Sequence, residues 1–289
     1  MTNTQETQEK PETKQNTLVV GPFLGELGWE MFSWQPYIRG LFLQSNADRC
    51  VVYGGPGRSS LYDFAEYREI DLPKGNSECN LMNNFQEIKA ELNSLGQQLV
   101  DIHQKEEGDF QFFWINNLKT FNDPMYMLGK PNLIRARTPY EYNDKNVCLC
   151  VRDREMSSFR NWDYENWYGL AESLVDICNV YVVGKVNDTE NWKMPEEVTD
   201  LTNQTTIDDC VNVFSGMKLM VGGSTGLLHL ASRMGKDHFV WGVKKNVLRY
   251  AETNWFGANY DVYTEKAWFP EPNTIYNKVK SYLEKGDFT

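Results

Sequence analysis

The chain has 289 residues, a formal net charge of −11 and a hydrophobic content of 41%. That length accommodates two domains of ordinary size with real cores, and no apolar run approaches the ~20 residues of a membrane helix. The acidic balance excludes a global positive field that would draw the protein to nucleic acid or anionic lipid, leaving room only for a local basic groove.

Residues 1–17 are mostly Gln, Thr, Glu, Lys and Asn, with no aliphatic side chain after Met1. They cannot bury enough apolar surface to offset ordering and predict a disordered tail. Leu18-Val19-Val20 reads as the first strand, and the glycine-rich loop Gly21 to Gly28 follows. A helix then runs through Trp29-Glu30-Met31-Phe32 to Phe42, with Pro36 predicted to kink it or mark a late start. Cys50 to Tyr53 is the second strand, ended by Gly54-Gly55-Pro56-Gly57, and the spacing predicts a parallel β–α–β unit opening a Rossmann-like half. Leu61 to Ala65 suggests a helix. Phe85 to Leu99 predicts a longer one, and Phe110 to Ile115 a strand or buried aromatic element. Arg135 and Arg137 are either phosphate contacts or a solvated pair. The polar stretch Thr138 to Asp144 is the expected linker.

The second half is more regular. Asn146 to Val151 is almost continuously apolar, as parallel strands buried on both faces are. Arg152-Asp153-Arg154 stands at its C-terminal end, where open α/β sheets bind ligands. Arg160-Asn161-Trp162, a helix over Tyr164 to Cys178, a strand Val180 to Gly184, a short strand or turn Val198 to Thr202 and a helix Ile207 to Ser215 follow. Lys218 to Val221 is a further strand, ending in Gly222-Gly223. Ser224-Thr225-Gly226 then leads into a helix carrying Leu227, Leu228, Leu230, Ala231 and Met234, closed by Gly235 and followed by the strand Phe239 to Trp241. This turn places unpaired amides and two hydroxyls at a helix N-terminus, a seat for a phosphate or diphosphate. His229 lies one turn in and reaches the same anion. The plain alternative makes Ser224 a helix N-cap, the glycines turn formers and His229 a core residue. Pro270 to Leu283 reads as a final helix.

The series Val221-Gly222-x-x-Thr225-Gly226-Leu227-x-His229-Leu230-Ala231, then Met234-Gly235-Lys236 and an apolar strand, resembles the nucleotide-binding motif of GT-B glycosyltransferases. It is most similar to the ADP-heptose–lipopolysaccharide heptosyltransferase type, in which an Asp usually stands where this chain has Ser224. The resemblance covers Asn146 to Val243, and Leu18 to Arg39 in part. It implies an α/β protein of two Rossmann-like domains facing across a cleft. Residues 18–143 would form the acceptor side and residues 144–269 the nucleotide-sugar side. Residues 270–289 would form a helix crossing back to the first domain.

Gly25-Glu26-Leu27-Gly28-Trp29-Glu30, then Pro36 and Arg39, is similar to the family's Gly-x-x-Gly-Asp stretch, with one extra residue before the Pro. The family's Asp is its presumed base. Glu30 is the nearest match and Glu26 the second candidate for taking a proton from the acceptor hydroxyl; either could instead simply complement a helix N-terminus. Arg160-Asn161-Trp162 is similar to a Lys-x-Trp segment whose Lys meets a donor phosphate. The resemblance implies that role for Arg160, with Arg152 and Arg154 as helpers. Asp188, beyond the strand end at Gly184, falls where the family contacts the ribose, and Leu201 and Thr202 where it walls the nucleobase.

The expected activity is sugar transfer from a nucleoside-diphosphate donor to an acceptor hydroxyl, and the resemblance implies that it inverts the anomeric centre and takes a glycan or lipopolysaccharide sugar as acceptor. No Asp-x-Asp pair occurs, so metal-independent transfer with no cofactor beyond the nucleotide-sugar co-substrate is expected. His103, His229 and His238 lie far apart in sequence, which also argues against a metal site. Six scattered cysteines without Cys-x-x-Cys, and no signal peptide, suggest the cytoplasm of a bacterium or phage-infected host. A rival is a phage-type DNA glycosyltransferase acting on hydroxymethylated bases; it would need Arg135, Arg137, Lys244, Lys245 and Arg249 to line one cleft. A nucleotide-sugar epimerase, a polysaccharide pyruvyl transferase or a catalytically silent nucleotide-sugar sensor would use the same phosphate seat.

Overall fold

The computed structural model describes residues 16–72, 93–105, 111–113 and 129–288. The predicted tail lies outside these except for its last two residues, and Thr17 already belongs to a strand. The first part of the Phe85–Leu99 helix also lies outside; residues 93–105 form helix α2.

Two parallel sheets organise the chain. The first is built from β1 (Thr17–Val20), β2 (Arg49–Gly54), β3 (Glu66–Glu69) and β4 (Gln111–Phe113), in the order β3-β2-β1-β4. The second holds β5 (Asn146–Arg152), β6 (Asn179–Lys185), β7 (Thr199–Asp200), β8 (Leu219–Gly223), β9 (His238–Trp241) and β10 (Tyr260–Tyr263), in the order β10-β9-β8-β5-β6-β7. All seven residues of β5 are buried. Val147, Leu149 and Val151 pack with Trp167, Leu170 and Leu174 on one face. Cys148 and Cys150 pack with Met220 and Leu228 on the other. The period-two alternation thus supplies two cores at once. The order reverses between β5 and β8, so a crevice opens beyond their C-terminal ends.

The first helix, α1, has three parts: Leu27–Trp29, a wide π turn Glu30–Trp34, and Gln35–Gln44. The predicted effect of Pro36 takes this form. Proline offers no N–H and its ring crowds the carbonyl four residues back. The ladder ahead of it widens, and the Gln35 N–H donates to the Glu30 carbonyl, five residues earlier.

The lobes are joined on both flanks of the crevice. Helix α5 (Gly226–Arg233) packs on α1. Arg233, 1% exposed, donates to the Met31 carbonyl and, through Nη2, to Gln35 Oε1 at 2.8 Å and the Asn132 carbonyl at 3.0 Å. On the opposite flank, the Asp208 carboxylate at the start of α4 (Ile207–Ser215) accepts from Ser59 N, Ser59 Oγ and Ser60 N at 3.0, 2.8 and 2.7 Å. One continuous apolar cluster reaches from Leu18 and Trp34 in the first lobe to Leu228 and Val240 in the second.

Two elements, Leu61 to Ala65 and the last helix, differ from expectation, and the linker is anchored. Leu61 to Ala65 is not a helix; a single 3-10 turn, Ser59–Leu61, leads towards β3. The linker around Thr138 to Asn143 is tied down along α4, through Thr138 N to Asn212 Oδ1 and Asn143 N to the Gly216 carbonyl. The last helix, α7 (Pro272–Lys285), does not cross back. Its buried face, Ile275, Val279 and Tyr282, belongs to the second-lobe core against α3 (Tyr164–Leu174), and Lys278 pairs with Asp261 on β10 at 2.7 Å. Packing on the nearest apolar face settles its course.

Candidate active site

The crevice encloses a cavity of about 540 Å³, within the usual size of small-ligand sites. Glu26, Gly28, Trp29 and Arg58 line it from the first lobe. Arg152, Arg154, Arg160, Thr225, Gly226, His229 and Arg249 line it from the second.

Two helices begin at this cavity, α1 and α5. Their starts touch: a Cβ on Gly226 would stand 2.7 Å from Leu27 Cβ and 2.9 Å from Gly28 N. Only glycine permits that approach. Unpaired first-turn amides and two helix dipoles therefore bring partial positive charge to one place. The N-cap of α5 is Thr225, not Ser224, and its side chain makes no capping bond. Ser224 is buried, and its N–H donates to the Trp241 carbonyl at 2.8 Å.

The arginines have distinct settings. Arg160 donates to the Ser224 carbonyl and lies over the Trp268 ring at 4.8 Å; burial lowers its pKa. Arg152 donates to the Ser157 and Met156 carbonyls and to Asn161 Oδ1, so it shapes the loop after β5 as well as lining the cavity. Burial, then the neighbouring Arg160 and Arg154, pull its pKa down to about 10. Arg154 Nη1 stands 3.8 Å from Glu26 Oε1, across the crevice. Arg249, on α6 (Lys244–Glu252), lies over the rings of Trp29 and Phe32. His229 is stacked on Tyr250, centroids 4.3 Å apart and planes 3° from parallel. Burial, then Arg249, lowers its pKa to about 3, so it is a neutral imidazole near pH 7.

The structure thus brings together Glu26, Arg152, Arg154, Arg160, the Ser224-Thr225-Gly226 turn, His229 and Gly184. It does not bring Glu30. Its carboxylate is 2% exposed and faces the first-lobe interior, accepting from Arg58 and, at 2.7 Å, from the Tyr62 hydroxyl. Glu26, 31% exposed, is a carboxylate that does line the cavity, as Asp71 does on the same lobe. Asp188 is exposed and spends both carboxylate oxygens on Asn191, at 3.2 and 2.7 Å. Leu201 and Thr202 stand off the cavity, the Leu201 N–H donating to the Val182 carbonyl. The wall at that end is made instead by Lys185, Thr205, Thr206 and Ile207. Of Arg135, Arg137, Lys244, Lys245 and Arg249, only Arg249 lines the cavity.

Sequence reasoning missed Arg58 and Trp268. Arg58 directly follows the Gly54–Gly57 run at the end of β2, so the strand-end rule that found Arg152 could have found it. Trp268 had no such signal.

Comparison with known proteins agrees with this architecture. Residues 110–238 match the family model described as glycosyltransferase family 9 (heptosyltransferase). No curated protein matches the chain. Among solved structures, the chain is similar to the E. coli ADP-heptose LPS heptosyltransferase II, with a TM-score of 0.60 and 15% identity over 94% of this chain and 99% of that one. It is similar to a family 9 glycosyltransferase from Veillonella parvula, TM-score 0.54 and 11% identity over 94% and 91%. It is also similar to the E. coli heptosyltransferase WaaC with ADP, TM-score 0.53 and 13% identity over 93% and 99%. These likenesses show the fold, two Rossmann-like domains across a cleft. No described helix is long and apolar enough to cross a membrane.

Proposed function

We propose that this glycosyltransferase, heptosyltransferase-like in its matched segment and GT-B in fold, transfers a sugar from a nucleoside diphosphate to a hydroxyl of a glycan or lipopolysaccharide acceptor. One observation carries the reading: a carboxylate on one wall of the cavity, Glu26, faces the α5 N-terminus and Arg160 on the other.

In this reading the donor diphosphate lies against the Thr225-Gly226 turn. The first amides of α5, Arg160 and the neutral His229 ring meet its oxygens, and the nucleoside extends towards Gly184, Thr205 and Ile207. Glu26 accepts the proton of the acceptor hydroxyl as its oxygen bonds to the anomeric carbon. The bond from that carbon to the phosphate oxygen breaks on the opposite face. The anomeric centre inverts, and the nucleoside diphosphate departs with the bonding pair. Arg152, Arg154, Arg160 and Arg249 stabilise the charge that develops on it, in a partly dry setting where fixed cations and amides act strongly. These side chains supply the charge neutralisation that a divalent cation supplies in other transferases, so the reaction is proposed to proceed without one.

Glu26→Gln should lower transfer by about 10²–10⁴-fold, the usual weight of a general base, while donor binding by calorimetry stays unchanged. Undiminished turnover in that variant would remove Glu26 as base. Conversion of the donor sugar without any acceptor would point to an epimerase instead.

A further inference from the structure

Behind the phosphate wall lies a second, much smaller cavity of about 10 Å³, bounded by Arg160, Trp162, Trp167, Thr225, Trp241 and Trp268. Three polar atoms of these residues are buried without a hydrogen-bond partner: Arg160 Nε, Trp167 Nε1 and Thr225 Oγ1. Trp167 is itself 2% exposed. A space of that size holds about one water molecule, and buried N–H groups left unpaired are costly. A single water would match this set in valence, accepting from both N–H groups and donating to the hydroxyl oxygen.

The same arginine is held from two other directions. Its guanidinium donates to the Ser224 carbonyl, and the Trp268 ring lies 4.8 Å from it. Trp268 is 6% exposed. Its six-membered ring fits against Gly242, where a Cβ would come within 2.7 Å of Cζ3 and where φ is +156°. The platform under Arg160 therefore depends on a position that excludes a side chain.

We propose that Trp268 and Trp167 are positioning residues for the donor diphosphate, acting through Arg160. Trp268 is the platform beneath its guanidinium; Trp167 acts through one ordered water that ties Arg160 Nε to Thr225 at the start of α5. Neither tryptophan need touch the donor. The box also explains why arginine, with its planar fork and Nε–H, suits this position: a lysine could use neither the ring face nor the cavity in the same way. The inference rests on the donor-diphosphate reading above.

Calorimetric binding of ADP, and of inorganic pyrophosphate as a base-free probe, to the full chain tests both. Trp268→Leu should weaken ADP binding about tenfold, and Trp268→Phe, which keeps a ring face, distinctly less. Trp167→Phe, which removes only the N–H, should weaken it about fivefold. In an Arg160→Ala background neither tryptophan change should weaken binding further, because the partner it acts through is gone. Losses that add fully to that of Arg160→Ala, or unchanged affinity in the single variants, would overturn the positioning role. The two phenylalanine variants keep the core filled, so the cycle is readable even where Trp268→Leu is too unstable to purify. Wild-type protein that binds pyrophosphate and none of ADP, GDP, UDP and CDP would still retain the phosphate seat, whereas binding of neither pyrophosphate nor any of the four nucleotides would reject the diphosphate reading itself, and the box with it.

Discussion

Glu26 and Glu30 stand one helical turn apart and have opposite settings. Glu26 looks into the cavity, while Glu30 is sealed with Arg58 and Tyr62. Burial, then the Glu30 charge, raises the Tyr62 pKa well above its ordinary value, so its hydroxyl remains a donor. Removing one partner of a buried pair strands the other. Glu30→Gln should therefore destabilise the protein by about 3–5 kcal/mol, read as a lower denaturant midpoint, whereas Glu26→Gln should change stability by less than about 0.5 kcal/mol. Equal midpoints for the two variants would contradict this division. Burial also holds His229 at about 3 and His238 at about 4, while both titrate near 6.5 when unfolded. Between those values the unfolded chain binds more protons, so stability present above pH ~6.5 is lost as the pH falls. The unfolding midpoint should drop between pH 7 and 5, and its slope against pH should be shallower in His238→Gln. An identical slope in that variant would show that His238 does not contribute.

At the scale of elements, the parallel strands were the most legible. Asn146 to Val151, Val180 to Gly184 and Phe239 to Trp241 carry unbroken apolar runs because helices cover both faces of the sheet, and each is a strand in the structure. The glycine turn before α5 was legible for a related reason: a strand end, a hydroxyl and a glycine occur together only where backbone must turn and stay bare. Its second requirement was not. Gly226 also abuts Leu27 and Gly28 of the other lobe, a contact that no local pattern encodes. Gly226→Ala should force backbone apart at that joint, costing about 1–3 kcal/mol and weakening binding of inorganic pyrophosphate, the base-free probe of the proposed diphosphate seat. Normal pyrophosphate affinity would show that the two helix starts need not meet. The wall of the cavity near Gly184 was misplaced by a few residues. Leu201 is apolar and lies beyond a strand, but its backbone continues the pairing with β6, and Thr205 to Ile207 turn inwards instead.

Across the whole molecule, the lobes share one apolar cluster and two polar fastenings, Arg233 on one flank and Asp208 on the other. Arg233 and Met31 are 202 positions apart, so nothing in the periodicity of either segment announces their meeting. A shared core predicts that heating unfolds both lobes in one cooperative transition, with calorimetric and van't Hoff enthalpies equal. Two resolved peaks would mean that the lobes fold independently. The same continuity accounts for the anchored linker along α4.

An α-helix rotates about 100° for every residue, so one surplus residue would swing a catalytic side chain out of line unless it were absorbed locally. The broadened turn Glu30–Trp34, ahead of Pro36, lies where the resemblance to the heptosyltransferase pattern puts one surplus residue. Counting forwards from Gly28 and backwards from Pro36 consequently disagree by one, landing on Trp29 and Glu30 respectively. Neither offers an acid group to the crevice. The proton acceptor proposed above, Glu26, lies a turn upstream of Glu30, outside the frame the motif suggests.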